Sequence, residues 1–289
     1  MAERVVLITG SNSGFGELTA RLLAESGFAV YASMRDVRGR NAGKAEELSA
    51  WGARSRGRLD VVELDVTDER SVEKAVGTVL EAAGRIDVVV NNAGIGAAGF
   101  SEAFTVQEAQ RLFDVNLFGA HRVNRAVLPH MRARRSGLLI HVSSTVGRLL
   151  FPFLGPYCPS KFALEAYAES LRYELAPLGV DSVIVEPGPH MTGHQQRMLL
   201  PSEQGRIASY GEAALAPERM SVKLGKVLSG PDGPDPMDVA KAILSLIERR
   251  HGERPLRTVV DKAMGSLVET VNDTHRENQK RLLDLITDA

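Results

Sequence analysis

Cysteine is nearly absent: the 289 residues contain one, Cys158. An intrachain disulfide is therefore excluded, and a reducing compartment is expected. No apolar run approaches the ~18 residues of a membrane span. The chain runs from Met1-Ala2-Glu3-Arg4 straight into Val5-Val6-Leu7-Ile8 without a signal-peptide pattern, so cytoplasm is the expected location. A surplus of charge is also lacking. The 35 Lys+Arg and 36 Asp+Glu leave a formal net charge of −1, with no global basic excess for nucleic acid or an anionic membrane. Arg132, Arg134 and Arg135 read as a solvated helix end. The 7 histidines show no metal-ligand spacing, so no metal is expected. Internal repeats, low-complexity tracts and domain linkers are missing.

What is present is ordinary globular composition, 44% hydrophobic and 25% charged, enough for one large α/β domain. Apolar strand patterns occur at Val5–Thr9, Phe28–Met34, Leu59–Leu64, Ile86–Val90, Leu138–Val142, Ser182–Val185 and Leu256–Val260. Helical patterns lie between them: Gly14–Glu25, Ala42–Trp51, Ser71–Ala83 after the cap Thr67-Asp68, Val106–Arg134, Tyr157–Ala176 and Pro236–Arg249. Within the longest of these, Pro129 marks a kink or a late turn. The alternation predicts α/β architecture: a Rossmann-like, doubly wound, parallel seven-stranded sheet in a single domain over residues 1–289. Ligands of such sheets sit outside the carboxyl ends of the strands. Residues 190–233 are Gly- and Pro-punctuated and only weakly helical, which suggests a substrate loop. The tail, about 262–289, is amphipathic in part; it docks on the domain, meets another subunit or frays.

The turn Ile8-Thr9-Gly10-Ser11-Asn12-Ser13-Gly14-Phe15-Gly16 joins the first strand to the first helix. Glycines let backbone N–H groups approach a phosphate closely, and the helix start offers further donors and a positive dipole end. The end of the second strand discriminates between dinucleotides. An acid there would bond the ribose hydroxyl of NAD, whereas Arg35 pairs with a 2′-phosphate and favours NADP. The neighbouring Asp36 keeps NAD possible if it, rather than Arg35, faces the ribose.

At the other end of the argument stand Asn116, Ser144, Tyr157 and Lys161. Tyr157 and Lys161 share a helix face, and Pro159 between them restricts the pair to the first helical turn. A nearby ammonium favours the phenolate and the cofactor's nicotinamide cation would add to it, so these two positive neighbours together are expected to draw the Tyr157 pKa from about 10 towards about 7, roughly 4 kcal/mol of differential stabilisation. Tyr157 then becomes a general acid/base. Ser144 is placed to bond the substrate oxygen and Asn116 to anchor a water. Taken singly, each group also has a plain structural reading: a chance Tyr-x-x-x-Lys, a strand-end turn, a satisfied buried amide. Cys158 reads as a packed residue, not a nucleophile.

In combination these pieces resemble the short-chain dehydrogenase/reductase family, in its single-domain branch. The matching elements are Thr9-Gly10-x-x-x-Gly14-x-Gly16, Asp65, Asn91-Asn92-Ala93-Gly94, Asn116, Ser144, Tyr157-x-x-x-Lys161 and Pro187-Gly188 with Thr192. The resemblance implies that Gly10, Gly14 and Gly16, with Phe15 among them, shape the pyrophosphate turn, and that Ser13 and Arg35 meet the 2′-phosphate. It implies that Asp65 and Val66 touch adenine and that Asn91, Ala93 and Gly94 line the adenosine. Pro187, Gly188 and Thr192 would face the nicotinamide, which Tyr157 and Lys161 also approach. Ser144, not Ser143, is implied as catalytic because it lies thirteen residues before Tyr157. The stretches Tyr31–Asp36 and Phe151–Glu165 resemble the 17-beta-hydroxysteroid and retinol dehydrogenase group, from which His190 departs.

The expected activity is NADP(H)-dependent interconversion of a secondary alcohol and a ketone, or an aldehyde, with a small-molecule substrate. Ser144, Leu149, Phe151, Phe153, Tyr157, His190 and Met191 are candidate substrate contacts, mostly apolar, which favours a lipophilic substrate. The alternative is a regulator that senses NADP(H) without turnover. The resemblance further implies a homodimer or homotetramer paired through the helices containing Asn116 and Tyr157.

Overall fold

The computed structural model describes residues 3–190, 198–228 and 233–286. Seven strands form one parallel sheet in the order β3-β2-β1-β4-β5-β6-β7. They are β1 Val5–Ile8, β2 Ala29–Met34, β3 Arg58–Glu63, β4 Val88–Asn91, β5 Gly137–Val142, β6 Val180–Pro187 and β7 Arg257–Val260. The helices are α1 Gly14–Glu25, α2 Ala42–Gly52, α3 Glu69–Ala83, α4 Val106–Phe113, α5 Gly119–Ala133, α6 Tyr157–Leu175, α7 Gln204–Ser209, α8 Ala216–Leu228, α9 Met237–Glu248 and α10 Gly265–Ile286.

Apolar residues on both faces of the strands explain the layering. Val6, Ile8, Val30 and Ala32 turn to one side and meet Leu23 of α1 and Val239 and Ile243 of α9. Val5, Leu7, Ala29 and Tyr31 turn to the other and meet Val76 of α3, Val127 of α5 and Leu171 of α6. The chain winds outwards in both directions from β1 and β4, so the crevice between them opens at the carboxyl edge of the sheet. The glycine turn, Asp65, Asn91–Gly94, Ser144 and Pro187-Gly188 all lie at or just past the carboxyl ends of their strands.

Two expectations need correction. The single helix over 106–134 is divided by a π-helical segment, Asp114–Phe118. The cause is tertiary: the Asn116 side chain bonds both backbone groups of Ile95, accepting from its N–H at 2.8 Å and donating to its carbonyl at 2.9 Å. Pro129 lies inside α5, which continues to Ala133. The region read as a weakly helical loop contains α7, a 3-10 stretch Gly211–Leu215 and α8. Its root is held by Leu199, whose carbonyl accepts from Ala98 N–H at 3.1 Å and whose N–H donates to Gly96 at 2.8 Å. The tail forms α10 and docks through its first two turns, with Val268 and Asn272 buried.

The outer sheet edge is fastened by one buried carboxylate. Asp181, at the start of β6, accepts from Arg172 of α6 at 2.7 Å and from Arg254 at 2.6 Å. Arg254 also donates to Leu246 O and Arg249 O, closing the end of α9. Replacing Asp181 by Ala leaves the buried Arg254 without its counter-charge. The expected loss is about 3–5 kcal/mol, read as a lower urea midpoint at unchanged slope.

Candidate active site

The glycine turn after β1 is built by crowding. Gly10 and Gly14 have φ of +68° and +58°, the left-handed region that favours glycine. A Cβ on Gly10 would also lie 2.9 Å from the Ala93 Cα, and one on Gly16 would overlap the Gly10 carbonyl. Thr9 and Asn92 fix the turn to the loop after β4. The Thr9 hydroxyl oxygen accepts from the N–H groups of Asn92 (3.0 Å) and Ala93 (2.9 Å). The Asn92 amide donates back to the carbonyls of Thr9 (2.8 Å) and Gly10 (3.0 Å). Ser13 stands at the N-cap of α1 in an extended conformation, and Phe15 and Gly16 lie in the first turn. This cradle, open where side chains would fill it and lined by a helix start, fits a pyrophosphate.

Beside it, Arg35 and Asp36 part company. Asp36 takes φ +53° and turns into its own loop, its carboxylate accepting from Arg40 N–H at 3.0 Å. Arg35 is half-exposed, with a guanidinium nitrogen 4.0 Å from Asp65. Asp65 also accepts from the N–H and hydroxyl of Thr67, and Val66 is buried against Gly119. Asn91 donates to Asn124 at 2.9 Å at the end of β4. A Cβ on Gly94 would stand 3.3 Å from the Asn116 side-chain oxygen and 3.8 Å from the Lys161 ammonium.

Tyr157 opens α6, which places Pro159 in the first turn. The Tyr157 hydroxyl hydrogen-bonds the Ser144 hydroxyl. Ser144 Oγ in turn lies 3.3 Å from the Pro187 carbonyl and accepts from Val146 N–H. Lys161 is buried; its ammonium donates to the Val142 carbonyl at 2.9 Å and sits 5.9 Å from the centre of the Tyr157 ring. Both N–H donors of the Asn116 side chain are occupied, the second reaching Ser160 Oγ at 3.0 Å. A widened π turn is also where the helical ladder slips out of register, which leaves the main chain there open to a water.

The expected depression of the Tyr157 pKa is not produced by the protein's own groups. Burial pushes the phenol up to about 12, and the Ser144 hydrogen bond opposes that only in part. The Lys161 ammonium is directed at a carbonyl instead of the phenol. Burial also brings Lys161 down to about 8, with the Glu165 carboxylate working the other way. Near neutral pH Tyr157 is thus a neutral phenol, a proton donor. Cys158 is buried with its thiol pushed up, so it is no nucleophile.

Pro187 ends β6, and Gly188 follows with no room for a Cβ against the Asp261 carboxylate. His190 is buried edge-on to Phe15, with ring centres 5.2 Å apart. Its Nδ1 is 2.8 Å from the Gly188 carbonyl, which can only accept, so Nδ1 carries a proton. Met191 and Thr192 lie outside the described residues. Phe153 packs edge-on to Phe100, and Phe100 stacks on Tyr210 at the end of α7. Leu149 and Phe151 are half-buried in the same connection between β5 and α6. Sequence reasoning missed Ile95 and Leu199, which join the Tyr157 ring in a small apolar cluster with Ala97, Phe104 and Leu112. No local spacing signals that contact, because it joins three separate segments.

The profile of the short chain dehydrogenase family matches residues 4–201. A 3-ketodihydrosphingosine reductase of Bacteroides thetaiotaomicron is 33% identical, the match covering 94% of this chain and 91% of that protein. Human retinol dehydrogenase 8 is 36% identical, over 85% and 78%. A short-chain dehydrogenase from Streptomyces avermitilis superposes with TM-score 0.77 at 30% identity, over 98% and 96%. Two further solved structures carry dinucleotides. An alcohol dehydrogenase from Thermococcus sibiricus holds 5-hydroxy-NADP (TM-score 0.72, 26% identity, 90% and 97% covered), and a Burkholderia phymatum enzyme holds NAD (0.74, 26%, 96% and 95%). With its parallel sheet, glycine turn and Ser144, Tyr157 and Lys161 drawn to one edge, the chain belongs to the short chain dehydrogenases, oxidoreductases of alcohol and carbonyl groups.

Proposed function

We propose that this protein reduces a lipophilic ketone or aldehyde, or oxidises the corresponding alcohol, with NADP(H). The observation that carries the reading is the Tyr157 hydroxyl bonded to Ser144, with Lys161 buried one turn along α6. The nicotinamide, when bound, supplies or accepts the hydride. Tyr157 gives the proton to the carbonyl oxygen in reduction and takes it back in oxidation. Ser144 donates to the same oxygen and sets its angle to the phenol. Lys161 returns a proton to the Tyr157 side and bonds the ribose. The main chain of the Asn116 turn anchors the water through which Lys161 exchanges with solvent.

Gly10, Gly14 and Gly16 with Phe15 receive the pyrophosphate. Asp65 and Val66 flank the adenine, and Asn91, Ala93 and Gly94 the adenosine. Pro187, Gly188 and Thr192 border the nicotinamide. Preference for NADP rests on Arg35 and Ser13, with Asp36 turned into its own loop. A lipophilic substrate is supported by Ile95 and Leu199 beside the Tyr157 ring and by the apolar Leu149, Phe151 and Phe153 in the connection from β5 to α6; Met191 is a further candidate contact. The names of the sphingosine-type and retinol enzymes among the relatives agree. His190, buried against Phe15, serves the cofactor side more than the substrate side. The segment about 190–233 is assigned to substrate recognition. Homodimers or homotetramers would pair through the outer faces of α4, α5 and α6. A groove of about 640 Å³ lies along α4, with Val106 and Phe118 exposed.

Tyr157→Phe keeps the ring and loses the proton. Turnover of a carbonyl panel, followed by NADPH absorbance, should fall about 10²–10⁴-fold while NADPH binding by calorimetry persists; retained turnover would refute the assignment. Arg35→Ala should weaken NADPH about 10- to 100-fold, as for a lost charge-assisted bond of about 1.5–3 kcal/mol, and leave NADH nearly unchanged. Equal loss for both dinucleotides would remove the case for NADP.

A further inference from the structure

Behind the active site lies a second buried cluster that the proposed reaction does not use. Glu165 follows Lys161 by one turn of α6, so the two side chains are neighbours on one face. Glu165 also touches the segment bearing Ser144. A Cβ on Gly147 would stand 3.0 Å from Glu165 Cγ and 2.8 Å from Ser143 Oγ. The carboxylate therefore lies between the two arms of the site, the β5 end and the start of α6.

Glu165 is held by Arg257, which is tied into a network from β6, β7, α10 and the connection after β5. Arg257 of β7 donates to Glu165 at 2.8 Å and to Glu169 at 2.6 Å, and stands 3.5 Å from Glu186 of β6. Glu186 accepts from Asn272 of α10 at 2.6 Å, and Asn272 accepts from Arg148 at 2.8 Å. Glu169 is further bound by Tyr173 and by His275 of α10. Glu165, Glu169 and Glu186 are buried, and the Arg257 side chain is 6% exposed. Three carboxyls thus share the Arg257 guanidinium and the half-buried Arg148, with His275 at the outer side of Glu169. A buried set of this sign keeps a proton. Burial and the charge of Glu165 push Glu186 up to about 8, and burial raises Glu165 as well. On the Lys161 side, His141 of β5 is also close, but burial brings it down to about 3, so it stays neutral.

We propose that Glu165 is a positioning residue that keeps the Lys161 ammonium charged and seats the turn carrying Ser144, with Glu186 and Arg257 governing how much negative charge Glu165 holds. The proposal rests on the catalytic reading of Lys161 and Tyr157 given above. It implies that the two carboxyls act oppositely on Lys161. Without the Glu165 charge, the ammonium is left to burial alone and loses its proton earlier. Without Glu186, Glu165 no longer competes for Arg257, ionises more fully and keeps the ammonium charged longer.

The test follows the Lys161 Cε resonance by NMR through a pH titration of the full chain labelled with [13C]lysine. The midpoint should fall by about half a pH unit or more in Glu165→Gln and rise by a few tenths in Glu186→Gln, in line with the removal or release of a neighbouring charge. The high-pH limb of NADPH-dependent turnover should move in the same directions. An unchanged midpoint in Glu165→Gln, whatever its melting temperature, overturns the proposal. If that variant does not fold, Glu186→Gln decides: a midpoint that stays or falls overturns it. Tyr157→Phe run in parallel separates the two ideas. Turnover surviving there refutes the catalytic reading, while the Lys161 midpoints still judge the role of Glu165.

Discussion

A buried ammonium is the constraint around which the site is arranged. Lys161 is removed from water, and a charge so placed is tolerated only where fixed dipoles and counter-charge replace the lost solvation. The Val142 carbonyl supplies the first and Glu165 the second. Both depend on α6 crossing the end of β5 at a particular height. That height is set by the sheet: β5 pairs with β6 over its whole length and with β4 from Leu138 to His141, and α6 packs into the core below through Leu171 and Leu175. The position of the phenol follows from that of the ammonium, because Tyr157 is one turn earlier on the same helix.

The cofactor side obeys a different requirement, close approach of backbone. Here specificity of structure comes from residues that take up space or decline to. Gly10 and Gly16 leave room, while Thr9 and Asn92 tie the two central loops together through four hydrogen bonds. The cradle is thus rigid without a side chain inside it. The π turn at Asn116 belongs to the same scheme, since the amide that distorts α4 and α5 also holds Ile95, one residue beyond Gly94.

Much of this was legible in the sequence because it is local. Apolar runs mark strands buried on both faces, and all seven appear near their predicted places. Glycine at Gly10 and Gly14 answers a dihedral that other residues resist. Pro159 correctly restricts Tyr157 to the helix start. The rest was not local. A π turn leaves the hydrophobic pattern of 106–134 nearly intact, so one helix looks the same as two. Helices α7 and α8 bury little, Gly205 and Gly225 lie inside them and Gly211 between them, so their periodicity is faint. Ile95, Leu199 and Glu165 read as ordinary residues because their significance lies in partners far along the chain. The share of Lys161 in the Tyr157 pKa is hidden for a related reason: spacing gives nearness but not the direction in which the ammonium points.

Gly188 and Asp261 give one last consequence. The Asp261 carboxylate accepts from the N–H groups of Ala263 and Met264, just ahead of α10, and fills the space that a Cβ on Gly188 would take. A side chain at 188 would displace that carboxylate and disturb the start of the C-terminal helix along with the end of β6. A substitution at either residue is therefore felt in both segments at once.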